Sequence, residues 1–372
     1  MATALGIIAF ENDQIRVEGL MDYRPVPAIS FLGRYRLIDF AVSNLTNSGI
    51  QRLKVFVKKQ PRSLIEHLGT GRHYNINSKR GSLQILYGES AEVTVGIYNH
   101  DINAYLQNMQ FIEESKEEYV VIAPGYMVYS IDFNDVLDAH VKTKADVTVV
   151  YKRINDAKTN FIGCKTLTLN KDGKIEGADN NLGRYKSRDI SLDTYIMTRK
   201  LFMELVYKAA KMSSLYTLKD ILADSIDEIH LQGYEFKGYC SCINSLERYH
   251  SVSMDLINHG VSKQLFQNDW IIHTKTNDSP PAYYSKDSNV KNSLIANGCT
   301  IEGELENCVL GRGVTIKKGC KISNSIILPG TYIAEDTVID YAVVDKNTEI
   351  KKTKKIEGTK ERLVYIKRRD RI

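Results

Sequence analysis

The chain has 372 residues, 43% hydrophobic and 26% charged, with a net charge of +5; that length points to about two domains rather than one core. No apolar run approaches the roughly 20 residues that span a bilayer, and the apolar opening Met1–Phe10 has no basic flank and runs straight into Glu11 and Asp13, as a buried first strand does and an export signal does not. A cytoplasmic location is expected, with the six cysteines reduced and the Cys240-x-Cys242 pair lacking the second pair or histidines of a zinc site.

In chain order, Leu5–Phe10, Leu53–Val57, Tyr119–Ala123, Asp146–Tyr151 and Ser191–Met197 are short, rich in Val, Ile and Tyr, and bounded by polar stretches. Helix-like segments such as Ile102–Ser115 and Phe133–Lys144 lie between them. Alternating strands and helices predict an α/β domain over 1–265, a mainly parallel Rossmann-type sheet covered on both faces. Any ligand site then belongs to the loops at the carboxyl ends of its strands.

A stretch without periodicity, containing Asn277-Asp-Ser-Pro-Pro281, predicts a linker over 266–288. Across 289–372 branched apolar residues recur every six positions: Ile295 and Ile301; Ile316 and Ile322; Ile327, Ile333 and Ile339; Val344 and Ile350. Gly or Asn falls at the turn-like places between them. That period is the mark of a parallel β-helix, each hexapeptide giving one face and one turn. Such coils bury their apolar faces only by stacking, and an open end or side then serves assembly. No histidine occurs from Asn289 to Ile372, which argues against the β-helix acyltransferases, whose chemistry uses one. From Lys351 to Ile372 ten Lys/Arg face three acids, a local +7 that leaves −2 for the rest. A solvated charged face or an anionic small molecule explains this tail better than nucleic acid, for which no motif is present.

Gly33-Arg-Tyr-Arg-Leu-Ile-Asp-Phe40 and Ser43-Asn-Leu-Thr-Asn-Ser-Gly-Ile50 carry a resemblance to bacterial ADP-glucose pyrophosphorylases (glucose-1-phosphate adenylyltransferases). Further matches follow at Gln60-Pro61, His67–Gly71, Gln107-Asn108, Tyr119–Ile122, Lys219-Asp220-Ile221, Gly238-Tyr239 and Met254–Leu256. The resemblance implies a nucleotidyltransferase-like first domain and a left-handed β-helix after it. It also implies adenylyl transfer from ATP to glucose 1-phosphate, which needs a glycine-rich phosphate cradle, cations, and a divalent metal on carboxylates.

Those parts are missing. The cradle L-A-G-G-x-G-x-R-L aligns with Ala9–Val17, where only Arg16 survives and Glu11 and Asp13 oppose a polyanion. The lysine of K-P-A aligns with Val26. The two metal aspartates align with Tyr126 of Pro124-Gly125-Tyr126 and with Cys242, and neither a phenol nor a thiol is a hard oxygen ligand for Mg²⁺ at neutral pH. The base-contacting G-T-A aligns with His100-Asp-Ile102, and the E-K-P motif has no counterpart in Gly177–Gly183. Ser191 matches the sugar-site serine of S-M-G, but Asp193 replaces its glycine. Arg16, Gln107 and Ser191 are thus a substrate-binding remnant, with no metal site and no cofactor of the chain's own. Asp39 and Asp132 read as structural, fixing loops near strand ends.

Arg24 and Arg36 align with arginines of the family's activator site and Arg34 with a lysine beside them, so a phosphate or sugar phosphate is expected there. The resemblance implies a catalytically inactive, regulatory subunit in glycogen biosynthesis, paired with a catalytic chain that alone uses Mg²⁺, and able to form homo-oligomers. The rival reading is an atypical nucleotidyltransferase making ADP-glucose with Asp101 or Asp132 as replacement ligands.

Overall fold

The structure is a computed structural model that describes residues 3–9, 15–77, 79, 81–87, 101–213 and 215–372. Glu11, Asp13 and His100 lie outside the described residues. Strands β1 (Ala4–Ala9), β2 (Arg52–Val57), β3 (Ser82–Tyr87) and β4 (Tyr119–Pro124) form a parallel run in the order β3-β2-β1-β4. Residues alternate between its two faces: Leu5, Ile7, Val120 and Ile122 enter one core, Ile8, Val121 and Ala123 the other. That alternation of buried residues on both faces is what helices on either side require.

The chain continues through β5 (Met127–Tyr129), β6 (Val147–Ile154), β7 (Lys165–Leu169), β8 (Ile175–Asn180), β9 (Arg188–Thr198), β10 (Leu231–Glu235) and β11 (Cys240–Cys242). The long β9 runs antiparallel to β4, β6 and β7, and its register slips between Ser191 and Thr194. Helices α1 (Ile38–Asn47), α2 (Asp101–Gln107), α3 (Phe133–Thr143), α4 (Arg199–Met212), α5 (Leu218–Asp224) and α6 (Leu246–Asp255) belong to the domain, with shorter helices at Arg62–Leu68 and His259–Leu265. The helix expected over 102–115 stops at Gln107 and resumes as a single turn at Gln110–Glu113. Asp132 caps α3 by accepting from the Asn134 N–H at 2.9 Å.

The second domain is a left-handed parallel β-helix of three five-stranded parallel sheets. Its first strand is Tyr283–Tyr284, paired with Thr300–Ile301. The stretch expected as linker to 288 therefore gives its last residues to the first coil; the prolines before them masked that start. The inner column Ile295, Leu310, Ile327, Val344 and Ile366 stacks in register. Where the six-residue period drops to five, Asn292, Asn307, Asn324 and Tyr341 turn the corner at positive φ. The three asparagines form a ladder there: Asn292 Nδ2 donates to Asn307 Oδ1 at 2.6 Å, and Asn307 Nδ2 to Asn324 Oδ1 at 3.3 Å. Asparagine tolerates the left-handed region better than other side-chain-bearing residues, so it shortens this corner by one residue.

The β-helix packs on the first domain through one sheet. Val309, Ile326 and Val343, in register on its outer side, belong to the same core as α1 and β1. Tyr365 ends that column over Gly19, where an added Cβ would lie 2.1 Å from its ring and the backbone is left-handed at φ 73°. Lys355–Glu357 and Val364–Ile366 are strands of the last coil, so the basic tail is built into the β-helix. No helix among the described residues is long and apolar enough to cross a membrane.

Candidate functional site

Two places gather the residues singled out in the sequence. The first lies at the carboxyl end of β4, beside β1 and β9. Tyr126 lies two residues past β4, and Cys242 on β11 pairs with Met127 on β5, so the two positions expected in place of the metal aspartates are neighbours. The turn at Val26–Ala28 is fully buried and abuts this loop; a Cβ on Gly125 would lie 2.6 Å from Pro27 Cγ.

A buried polar network occupies the space between them. The Tyr126 hydroxyl donates to Asp193 Oδ2, and the Lys219 ammonium donates to the same oxygen. Lys219 Nζ also lies 3.3 Å from the Tyr126 hydroxyl. Side chains of Lys219 and Asp193 are 16% and 4% exposed. Burial works against the Lys219 charge, but Asp193 outweighs it and holds the ammonium above its ordinary pKa. Burial, then Asp193, pushes the Tyr126 phenol well up. Asp193 stands at φ 50°, the left-handed region that favours glycine, inside the register slip of β9. Its backbone N–H donates to Ser191 Oγ at 3.2 Å. Cys242 Sγ lies 3.7 Å from Cys164 Sγ; that hydrogen bond, and burial after it, keep the Cys242 thiol protonated.

Mg²⁺ does not fit this donor set. It wants oxygens from carboxylates and water, and the buried carboxylate present is already held by an ammonium and a phenol. Among the described residues no group of three or more His, Cys, Asp or Glu could hold a metal. The alternative ligands are committed elsewhere: Asp132 caps α3, and Asp101 accepts from the Leu218 N–H that opens α5 at 3.1 Å.

Of the substrate remnant, only Ser191 joins the network. Gln107 is exposed two turns beyond Asp101 on α2, about 9 Å further along the helix. Arg16 is exposed, and its backbone N–H donates to Asn244 O at 3.2 Å. Lys219 and Cys164 were missed as partners. The matched Lys219-Asp220-Ile221 stretch, read beside the carboxylate at 193, held the signal for the first.

The second place is the seam between the domains. Arg24 is buried, and its Nη2 spans both oxygens of Asp345, at 2.8 and 2.6 Å. Asp345 also accepts from the Tyr365 hydroxyl at 2.9 Å and the Lys346 N–H at 2.6 Å. Arg36 reaches the Ser63 carbonyl, and its loop is pinned by Asp39, which accepts from the Arg36 N–H at 2.9 Å and the Tyr74 hydroxyl at 2.6 Å. Lys346 faces Arg36, Arg24 and Arg368. Arg24, Lys346 and Arg368 thus gather near Asp345, which Arg24 already pairs, while Arg36 lies beside Asp39. Arg24 Nη1 and Arg368 Nε are buried without a hydrogen-bond partner among the described residues, an arrangement costly enough to ask for an anion.

Arg34 is not part of this cluster. It sits at the tip of the Ser30–Phe31/Tyr35–Arg36 hairpin, over the Tyr35 ring at 5.2 Å. Arg34 and Arg312 line a separate 470 Å³ cleft with Tyr35 and Phe266. The three arginines expected as one pocket therefore divide between two, because the hairpin turn carries residue 34 away from its neighbours. The basic tail contributes Arg368 in its place, a link open to sequence only as a possibility.

Residues 15–255 match the family described as Nucleotidyl transferase, and residues 280–362 match the GlmU-like C-terminal hexapeptide family. The chain is 31% identical to the glycogen biosynthesis protein GlgD of Bacillus subtilis, over 98% of its own length and 95% of that protein's. It is 29% identical to a glucose-1-phosphate adenylyltransferase of Fervidobacterium nodosum, over 94% of its length and 85% of the relative's. With the corresponding protein of Bacillus cytotoxicus the identity is 30%, over 88% of each.

Proposed function

Because the chain belongs to the nucleotidyl transferase family, in which it resembles GlgD and the glucose-1-phosphate adenylyltransferases end to end, we propose that it is a non-catalytic regulatory subunit. It assembles with an active paralogous adenylyltransferase in glycogen biosynthesis and alters that chain's rate or its response to an anionic effector. The observation that supports this reading is the contrast between the two places. The catalytic position holds Tyr126, Asp193 and Lys219 bound to one another, while the interdomain seam keeps a cation cluster fit for an anion. Allostery needs only a second site whose ligand favours one state of the assembly.

Co-expression with the catalytic paralogue from the same organism tests it. A hetero-oligomer should co-purify and differ from the paralogue alone in rate or effector dependence. If the two chains sediment separately and the paralogue's kinetics are unchanged, the reading fails.

The seam also sets an expected pH dependence. Burial first, then Arg36 and Arg24, pushes the Lys346 ammonium down to about 7 from its ordinary value. Below that pH the ammonium is charged and can bind an anion; above it the charge is lost. Sulfate, which does not titrate in this range, should bind more weakly as pH rises from 6 to 9. The fall should be about ten- to hundred-fold, the worth of one charge-assisted hydrogen bond. Calorimetric titration of sulfate at several pH values checks it. Arg36→Ala should weaken binding by a similar factor at every pH, and a flat profile would remove Lys346 from the site. Stability has the opposite slope: the unfolded chain holds this proton up to the ordinary lysine range, so stability gains as pH rises above 7.

A further inference from the structure

We propose that Asp193 is an internal occupant of the former sugar-phosphate pocket, its carboxylate taking the place on Lys219 that an anionic oxygen of a hexose phosphate would take. The inference rests on reading this pocket as non-catalytic, and its test uses the isolated chain, without any partner.

Three observations converge. The backbone at 193 keeps the left-handed conformation, φ 50°, that a glycine would adopt freely, as suits a position matched to the glycine of S-M-G and now carrying a carboxylate. That carboxylate does not face solvent. It is held by the Lys219 ammonium and the Tyr126 hydroxyl, with the Tyr195 hydroxyl 3.4 Å from its other oxygen. Finally, the Asp193 N–H donates to Ser191 Oγ, which fixes the turn beside the serine that matches the family's sugar-site serine. A phosphate monoester needs a cation at short range, and Asp193 has claimed it. Charge is balanced inside the network, so an incoming dianion would meet Asp193 as a like charge beside the ammonium it needs.

Asp193→Gly removes the occupant while suiting the backbone, and frees Lys219. Glucose 1-phosphate, titrated into the isolated chain by calorimetry, should show no saturable binding to the natural protein at millimolar concentrations. The glycine variant should bind about ten- to hundred-fold more tightly, the gain of one released charge-assisted contact. Lys219→Met on that background should abolish the gain. Asp193→Asn keeps the volume and removes the charge; it should show a smaller gain, and it decides the matter if the glycine variant does not fold. Equal binding by natural and variant chains, folded variants that both fail to bind, or a gain that survives Lys219→Met would each overturn the proposal.

Discussion

Given ATP, Mg²⁺ and glucose 1-phosphate, the purified chain is expected to release no pyrophosphate above background. A bound metal supplies several kcal/mol of transition-state stabilisation in phosphoryl chemistry, and each 1.36 kcal/mol is tenfold in rate. With Tyr126 and Cys242 read in place of both carboxylates and Val26 in place of a cation, the deficit against an active relative should reach about four orders of magnitude. The network adds to it, since Lys219 is already bound by Asp193. A coupled pyrophosphate assay at high enzyme concentration measures this directly. Sustained turnover by the isolated chain, lost on replacing Asp101 or Asp132, would make the protein an enzyme with rearranged ligands.

Arg24→Ala is expected to destabilise the chain by about 3–5 kcal/mol, the usual cost of breaking a buried pair by removing one partner. The pair is 4% and 0% exposed and joins residues 321 apart in sequence, so the loss falls on the seam between the domains. Asp345 would keep the Tyr365 hydroxyl and the Lys346 N–H but lose both charge-assisted bonds from Arg24. Urea unfolding should show a lowered midpoint, with the first domain and the β-helix melting less cooperatively. Replacing both partners with apolar residues, Arg24→Met with Asp345→Leu, should cost much less, because neither member of the pair is then left as a buried charge without the other. An unchanged midpoint in Arg24→Ala would mean that the apolar column at Val309, Ile326 and Val343 holds the seam unaided.

Much of this was legible in the chain itself, and the rest was hidden for physical reasons. Strand and helix alternation gave the first domain, since burial on both sheet faces leaves continuous apolar runs such as Val120–Ala123. The β-helix was legible from its six-residue period, while the corners where six drops to five, with asparagine in the left-handed region, needed the coordinates. The docking face had left a mark that went unread. On that sheet adjacent apolar residues are both buried, Val309-Leu310, Ile326-Ile327 and Val343-Val344, because it is covered on both sides. Degenerate positions at 26, 126 and 242 could be found by alignment. That Asp193 would reach Lys219 and Tyr126 could not, since three elements meet there. The grouping of Arg34 with Arg24 and Arg36 failed for a similar reason: thirteen residues that include a hairpin do not share a face.

The seam also makes the β-helix a ruler. Thr300, Thr315, Tyr332 and Glu349 stack in register, so successive coils take 15, 17 and 17 residues. Each coil advances the chain by one strand spacing, about 4.8 Å. A β-helix standing free could gain or lose a whole coil and keep its stacking. This one is pinned at several heights to the first domain: Ala296 and Leu310 near Gly33, the Asn324 carbonyl 2.7 Å from His250 Nε2, Asp345 on Arg24, and Tyr365 over Gly19. Loss of one coil before Asp345 would carry its carboxylate about 4.8 Å from Arg24, beyond any ion pair. The rung count up to Asp345 is therefore tied to the shape of the first domain, and length changes in this chain should be tolerated in loops between coils but not in coils themselves.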